Sequence, residues 1–242
     1  MRFLLLLTLL ISCVTQKDRR RSNARLELGT AYLKEGNSAD AIKTLEDAIQ
    51  LNPRNAVAWE KLAIAYSSRG APKLAEEAFI RSLKLEDRPE THNNYGLMLL
   101  SLGRYPEAVL QFEAAINDLT YRNSALALHN LGQTQYEQKN FEGALTAFSQ
   151  SIQRAPNLCI NRFHRGLTYN AINRHDEALY DFQQVIDLCG DEALGAYLQA
   201  AELLLRKNDK PAACAYLETI LNEVKETPLG SQAAVRHTEE CL

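Results

Sequence analysis

Small and bulky apolar residues recur along this chain with a long, fixed period. Alanines stand at Ala41, Ala75, Ala108, Ala144, Ala178 and Ala212, at spacings of 34, 33, 36, 34 and 34. Four residues after each comes a bulky apolar side chain: Leu45, Phe79, Phe112, Phe148, Phe182 and Tyr216. Twelve residues before each comes a small one: Gly29, Ala63, Gly96, Gly132, Gly166 and Ala200. A fixed period of this length signals stacked units, none of which can bury its apolar face alone.

The pattern resembles the tetratricopeptide repeat, a helix–turn–helix unit of about 34 residues. In that reading the small residue on the first helix lets the second helix approach closely, and the alanine does the same from the other side. Gly36, Gly70 and Gly103 fall where first helices end and a positive φ is easiest for glycine. Asn140, Asn173 and Asn208 fall near that place in the last three units. Pro72, Pro106 and Pro211 open second helices, where a missing N–H costs nothing. The expected fold is all-α: a right-handed superhelix of six repeats, at 22–55, 56–88, 89–124, 125–158, 159–192 and 193–226. A capping helix over 227–242 follows. Repeat three carries two extra residues near Asp118 to Asn123, which predicts a longer loop.

The chain opens differently. Arg2 precedes a short apolar run from Phe3 to Ile11, then Ser12 and Cys13, which is the shape of a secretory signal. The run is far shorter than the ~20 residues of a spanning helix. Leu10-Ile11-Ser12-Cys13 resembles the bacterial lipobox, in which the cysteine is acylated after cleavage. That resemblance implies a leader over 1–12, lipidation at Cys13 and a flexible tether over 13–21. Val14 in place of an aspartate implies the outer membrane, on its periplasmic side. Arg19-Arg20-Arg21 reads either as a holder of the tether near anionic head groups or peptidoglycan, or as a solvated linker.

Composition adds mainly exclusions. The formal net charge is −3, so no global basic field points to nucleic acid. A single Trp and 7% aromatic content argue against a stacking platform for bases. The histidines at 92, 129, 164, 175 and 237 show no metal-ligand spacing, and no cofactor or catalytic constellation is evident. The expectation is a non-enzymatic protein with no metal. Five cysteines leave four once Cys13 is set aside. In the repeat register, Cys159 opens the fifth helix pair and Cys189 closes it. Cys214 lies on the last second helix, against which the cap with Cys241 should pack. Of three possible connectivities, this predicts Cys159–Cys189 and Cys214–Cys241, with free thiols as the alternative.

Tetratricopeptide arrays usually bind partners on the face lined by first helices. The register places Leu26, Thr30 and Leu33 there in repeat one, Glu60 and Ile64 in repeat two, and Asn93, Leu97 and Leu100 in repeat three. Repeats four and five would add His129 and Phe163. Leu26, Leu33, Ile64, Leu97 and Leu100 would form an apolar strip suited to a helix or extended segment. The places that grip a terminal carboxylate in chaperone-binding relatives hold Leu26, Thr30, Lys61, Glu90 and Asn94, which is not such a clamp.

The lipobox, the later cysteines and stretches such as Leu28-Gly29-Thr30-Ala31-Tyr32-Leu33 and Leu51-Asn52-Pro53 together resemble the pilotin lipoproteins of type IV pili (PilF/PilW/Tgl-like). Asn93-Asn94-Tyr95-Gly96 and Tyr105-Pro106-Glu107-Ala108 add to the likeness. The resemblance implies binding to secretin subunits and help in their outer-membrane localisation and assembly. The alternative is another lipid-anchored adaptor, for outer-membrane protein insertion or peptidoglycan synthesis.

Overall fold

A computed structural model describes residues 14–224 and 226–242. The expected leader over 1–12 and the expected lipidation site Cys13 lie outside the described residues. Among the described residues there are thirteen α-helices, one short 3-10 turn (Gly190–Ala193) and no strand. No helix of the described residues is long and apolar enough to cross a membrane.

Two helices fall in each repeat of the sequence register: α1 (Gln16–Lys34) and α2 (Ser38–Leu51), α3 (Ala56–Ser68) and α4 (Pro72–Leu85), α5 (Pro89–Ser101) and α6 (Tyr105–Asn117). Then follow α7 (Ser124–Glu137) and α8 (Phe141–Arg154), α9 (Cys159–Ala171) and α10 (His175–Cys189), α11 (Leu194–Arg206) and α12 (Lys210–Val224), and finally α13 (Pro228–Cys241). The first helix begins earlier than expected. Thr15 caps α1 by accepting from the Asp18 N–H, so residues 16–21 are helix rather than flexible tether. The side-chain cap satisfies an otherwise orphaned amide and starts the helix there.

The chain divides into two compact units, one ending at Met98 and one running from Leu99 to Leu242, with the boundary inside α5. In the first unit the lock between helices is visible at Gly29. A Cβ there would lie 2.6 Å from Leu45 Cγ, so only glycine allows α2 to come this close. In the second unit, a Cβ on Gly132 would lie 2.7 Å from Phe148 Cε1, and one on Gly166 would lie 2.8 Å from Phe182 Cε1. Leu45, Phe79, Phe112, Phe148 and Phe182 are all fully buried. Burial of each stabilises the fold by roughly 1.5–3 kcal/mol.

Helix pairs are also closed by hydrogen bonds that the periodicity did not suggest. Ser82 Oγ donates to the Ala56 carbonyl and Ser151 Oγ to the Ala125 carbonyl, each joining the end of a second helix to the start of its first. In the first repeat the roles reverse: Ala48 occupies the second-helix place, and Ser22 on α1 donates to its carbonyl.

The turns inside the pairs share one closure. The second residue after the first helix has positive φ, and the next N–H reaches back five residues, as in Asn37 to Tyr32 and Asn140 to Gln135. Gly36, Gly70 and Gly103 supply the positive φ in three turns, and Lys139, Asn173 and Asn208 in the others. Asn140 is therefore not the left-handed residue; it caps α8 through the Gly143 N–H, one position further on. Lys139 holds that backbone at ~1–2 kcal/mol relative to glycine.

Candidate protein-binding surface

The surface of interest in the first unit is built by α1, α3 and the part of α5 up to Met98. Its polar centre is Glu60, which is 1% exposed. Glu60 Oε1 accepts from Lys61 Nζ at 2.8 Å and from Asn94 Nδ2 at 3.0 Å. Oε2 accepts from Arg88 Nη1 at 3.2 Å and from Thr91 Oγ1 at 3.0 Å. Arg88 Nη2 also reaches Glu90. A buried carboxylate is costly unless it is paired and hydrogen-bonded, and here four donors meet it.

This arrangement corrects the expected groove. Glu60 and Asn93, expected on the exposed face, are both buried. The physical reason is that the open face is narrow: Ile64 and Leu97 keep their expected places on it, while Glu60 and Asn93 fall on its inward side and their neighbours Lys61 and Asn94 take the edge. On α3 the face open to solvent carries Lys61 and Ile64, and on α5 it carries Glu90, Asn94 and Leu97. Leu97 is 40% exposed, and Ile64 is half-buried. Leu26 and Leu33 are half-buried and pack against the cluster of Ala41, Leu45, Leu62 and Ala65, so they are core margin more than open strip. Thr30 turns its hydroxyl back to the Leu26 carbonyl. Leu100 belongs to the second unit and is half-buried there. The surface that remains is a short apolar stretch, Ile64 and Leu97, edged by Lys61 and Asn94. A legible signal did exist: Asn94 lies one 34-residue period after Glu60, so the two share neighbouring first helices.

Behind this surface, Tyr66 donates to Glu46 at 2.8 Å. Burial first, then that hydrogen bond and the carboxylate charge, push the Tyr66 phenol up to about 12.

The second unit has a different polar centre. His129, expected on the exposed face, is buried. Its Nδ1 donates to Asn161 Oδ1 at 2.9 Å, and its ring lies 5.0 Å from that of His164. Phe148 and Phe163 flank His164. Burial, then the neighbouring His129, hold His164 down to about 4. Burial also lowers His129, against the Asn161 bond. Among the described residues, His164 Nδ1 and Asn161 Nδ2 have no hydrogen-bond partner. Phe163 is half-buried, packed on Phe182. The structure joins Cys159 to Cys189 (Cα atoms 6.6 Å apart) and Cys214 to Cys241 (5.8 Å). No group of three His, Cys, Asp or Glu among the described residues could hold a metal ion.

Models of the tetratricopeptide repeat match residues 26–85 and 87–157, together more than half the chain. The chain is a tetratricopeptide-repeat protein. This array is a homologue of the type IV pilus assembly protein PilF of Pseudomonas aeruginosa, 31% identical over 155 residues. The match covers 60% of this chain and 62% of that protein's own length. Its solenoid fold is also that of solved structures. A structure from the functional characterisation of Pseudomonas aeruginosa PilF aligns with a TM-score of 0.78 at 22% identity, over 91% of this chain and 99% of that one. PilW, described as a widely conserved type IV pilus biogenesis factor, aligns with a TM-score of 0.77 at 23% identity, over 88% and 98%.

Proposed function

We propose that this protein works in type IV pilus biogenesis as a pilotin: an outer-membrane lipoprotein that binds secretin subunits and promotes their localisation and multimer assembly. The homology to PilF carries the reading, because tetratricopeptide repeats alone occur in proteins of many functions. The protein is a non-enzymatic adaptor in this reading. A secretin segment would lay apolar side chains on Ile64 and Leu97 and hydrogen-bond at the edge to Lys61 and Asn94. The Glu60 network fixes both polar groups before the partner arrives, which reduces the ordering cost of binding. Acylation at Cys13 would hold the adaptor on the periplasmic side of the outer membrane and raise its effective concentration for secretin.

The test is a pull-down from membrane extracts together with a deletion strain. Recovery of secretin and loss of secretin multimers on deletion are expected. Recovery of an outer-membrane insertion machine or a peptidoglycan synthase without secretin would overturn the proposal in favour of another lipid-anchored adaptor. Leu97→Asp is the sharper surface probe, because Leu97 is exposed and its loss leaves the core intact, whereas Leu26→Asp would disturb the margin of the core.

A further inference from the structure

We infer that the amino-terminal turns of α1 form a seat for an anionic phospholipid surface. Lys17, Arg19, Arg20, Arg21 and Arg25 are all exposed, and none makes an ion pair among the described residues. The one acid among them, Asp18, is engaged in the cap, where it accepts from the Thr15 hydroxyl at 2.6 Å. At 100° per residue, Lys17, Arg20 and Arg21 share an arc of about 100°. That arc lies away from Ser22 and Gly29, the two buried residues of α1. Ala24, Leu28 and Ala31 continue the same outward side and are exposed.

Two independent observations separate this patch from an ordinary solvated face. The first is its place on the helix. The amino-terminal end of a helix carries partial positive charge, so cations there destabilise it and acids are preferred. Four unpaired cations in the opening turns of α1 work against the helix that holds them, so helix stability does not explain them. The second is charge asymmetry. From Leu26 onward the chain has 21 basic and 29 acidic residues, a balance of −8, while residues 14–25 carry five basic and one acidic, a balance of +4. Facing an anionic surface, residues 14–25 are attracted while the rest of the chain carries net negative charge.

A lipid head-group layer fits the patch better than a protein partner. The arginines lie exposed on an outward helix face. A flat, mobile layer of phosphates satisfies such a face without shape complementarity. The adjoining cleft is lined by Val14, Asp18, Gln50, Leu51, Pro53 and Arg54 and adds one further cation. In its location the inference rests on the anchor in the proposed function: Lys17 is four residues from Cys13, at most on the order of 14 Å along an extended chain. The attraction itself needs no acyl chain.

The experiment uses the full chain carrying Cys13→Ala, so that no lipid is attached, with vesicles of phosphatidylcholine alone or mixed equally with phosphatidylglycerol. Binding to the mixed vesicles, weakening with salt and well above that to phosphatidylcholine, is expected. Each basic residue near such a surface is worth about fivefold in affinity, so Arg20→Gln with Arg21→Gln should weaken binding roughly 25-fold. Arg20→Glu with Arg21→Glu should abolish it while leaving α1 at least as helical by circular dichroism, since acids suit that end. Equal binding to both vesicle types, or unchanged binding of the charge-reversed variant, overturns the inference. The anchor is read separately, from the mass of the unsubstituted chain. An unacylated Cys13 with the vesicle preference intact removes the anchor and leaves the basic seat standing.

Discussion

In the unit ending at Met98, the buried polar centre is a carboxylate, and donors from α3 and α5 and the loop before α5 close on Glu60. In the unit from Leu99 onward, the centre is a histidine pair held against Asn161 and two phenylalanines, with buried nitrogens left unmatched. Two disulfides lie in this second unit, and the described part of the first has none. Both units use the same apolar lock between helices, so the difference lies in how each tolerates polar atoms inside. The first compensates a charge with other charges. The second also pairs a buried carboxylate, Asp181 with Arg165, but adds a buried histidine pair whose charged form is disfavoured, and covalent bonds. The first should therefore answer to loss of a partner, and the second to pH and reductant.

The largest expected effect tests what the units share. Phe182→Ala removes a fully buried ring and should cost ~3–5 kcal/mol. Leu45→Ala should cost ~2–5 kcal/mol in the other unit by the same mechanism, read in each case by urea titration. Next come the crosslinks. Replacing Cys214 and Cys241 by serine opens a loop of sequence separation 27 and should cost ~3 kcal/mol. Reductant should lower protection from hydrogen exchange in α9 to α13 and leave α1 to α4 unchanged; equal loss in both would break the comparison.

Glu60→Gln comes third, at ~1–3 kcal/mol, because its amide would point a donor at Arg88 or Lys61. Its effect on hydrogen exchange should centre on α3 and α5. The last test is pH. In the unfolded chain His129 and His164 titrate near their ordinary value of 6.5, and in the fold both are lowered, His164 to about 4. The unfolded chain then binds more protons between those values. Stability is thus full above pH ~6.5 and declines as the pH falls toward ~4. Melting temperatures across that range should show the decline, and His164→Phe should flatten it; an unchanged slope would mean that the histidine pair is not its source.

Much of the fold was legible because the lock residues repeat. Gly29 with Leu45 and Gly166 with Phe182 are a small and a large residue at a fixed separation, and only one packing serves both. The cysteine partners followed once helix ends were placed. The surface was less legible. At the edge of a narrow face, Glu60 and Asn93 turn inward and their neighbours Lys61 and Asn94 outward, and a polar residue gives no hydropathy signal of which way it faces. An acid inside the alanine-rich run from Ala56 to Ala65 was the available hint. The extent of α1 was missed because Arg19 to Arg21 read as linker, while the Thr15 cap fixed the helix start upstream of them.

The lock also governs which changes in length the chain can absorb. Each pair closes on itself, so the array can gain or lose material in whole repeats, and a shift of a few residues inside a pair would separate every small residue from its bulky partner. The connection between α6 and α7, residues 118–123, lies outside any pair and already carries the extra residues of repeat three. Downstream of Cys159, whole-repeat steps are confined to the stretch between Cys189 and Cys214, because the crosslinks tie α9 to α10 and α12 to α13. Growth and shrinkage of this chain are thus quantised, and past Cys159 they are restricted to the gap between the two crosslinked loops.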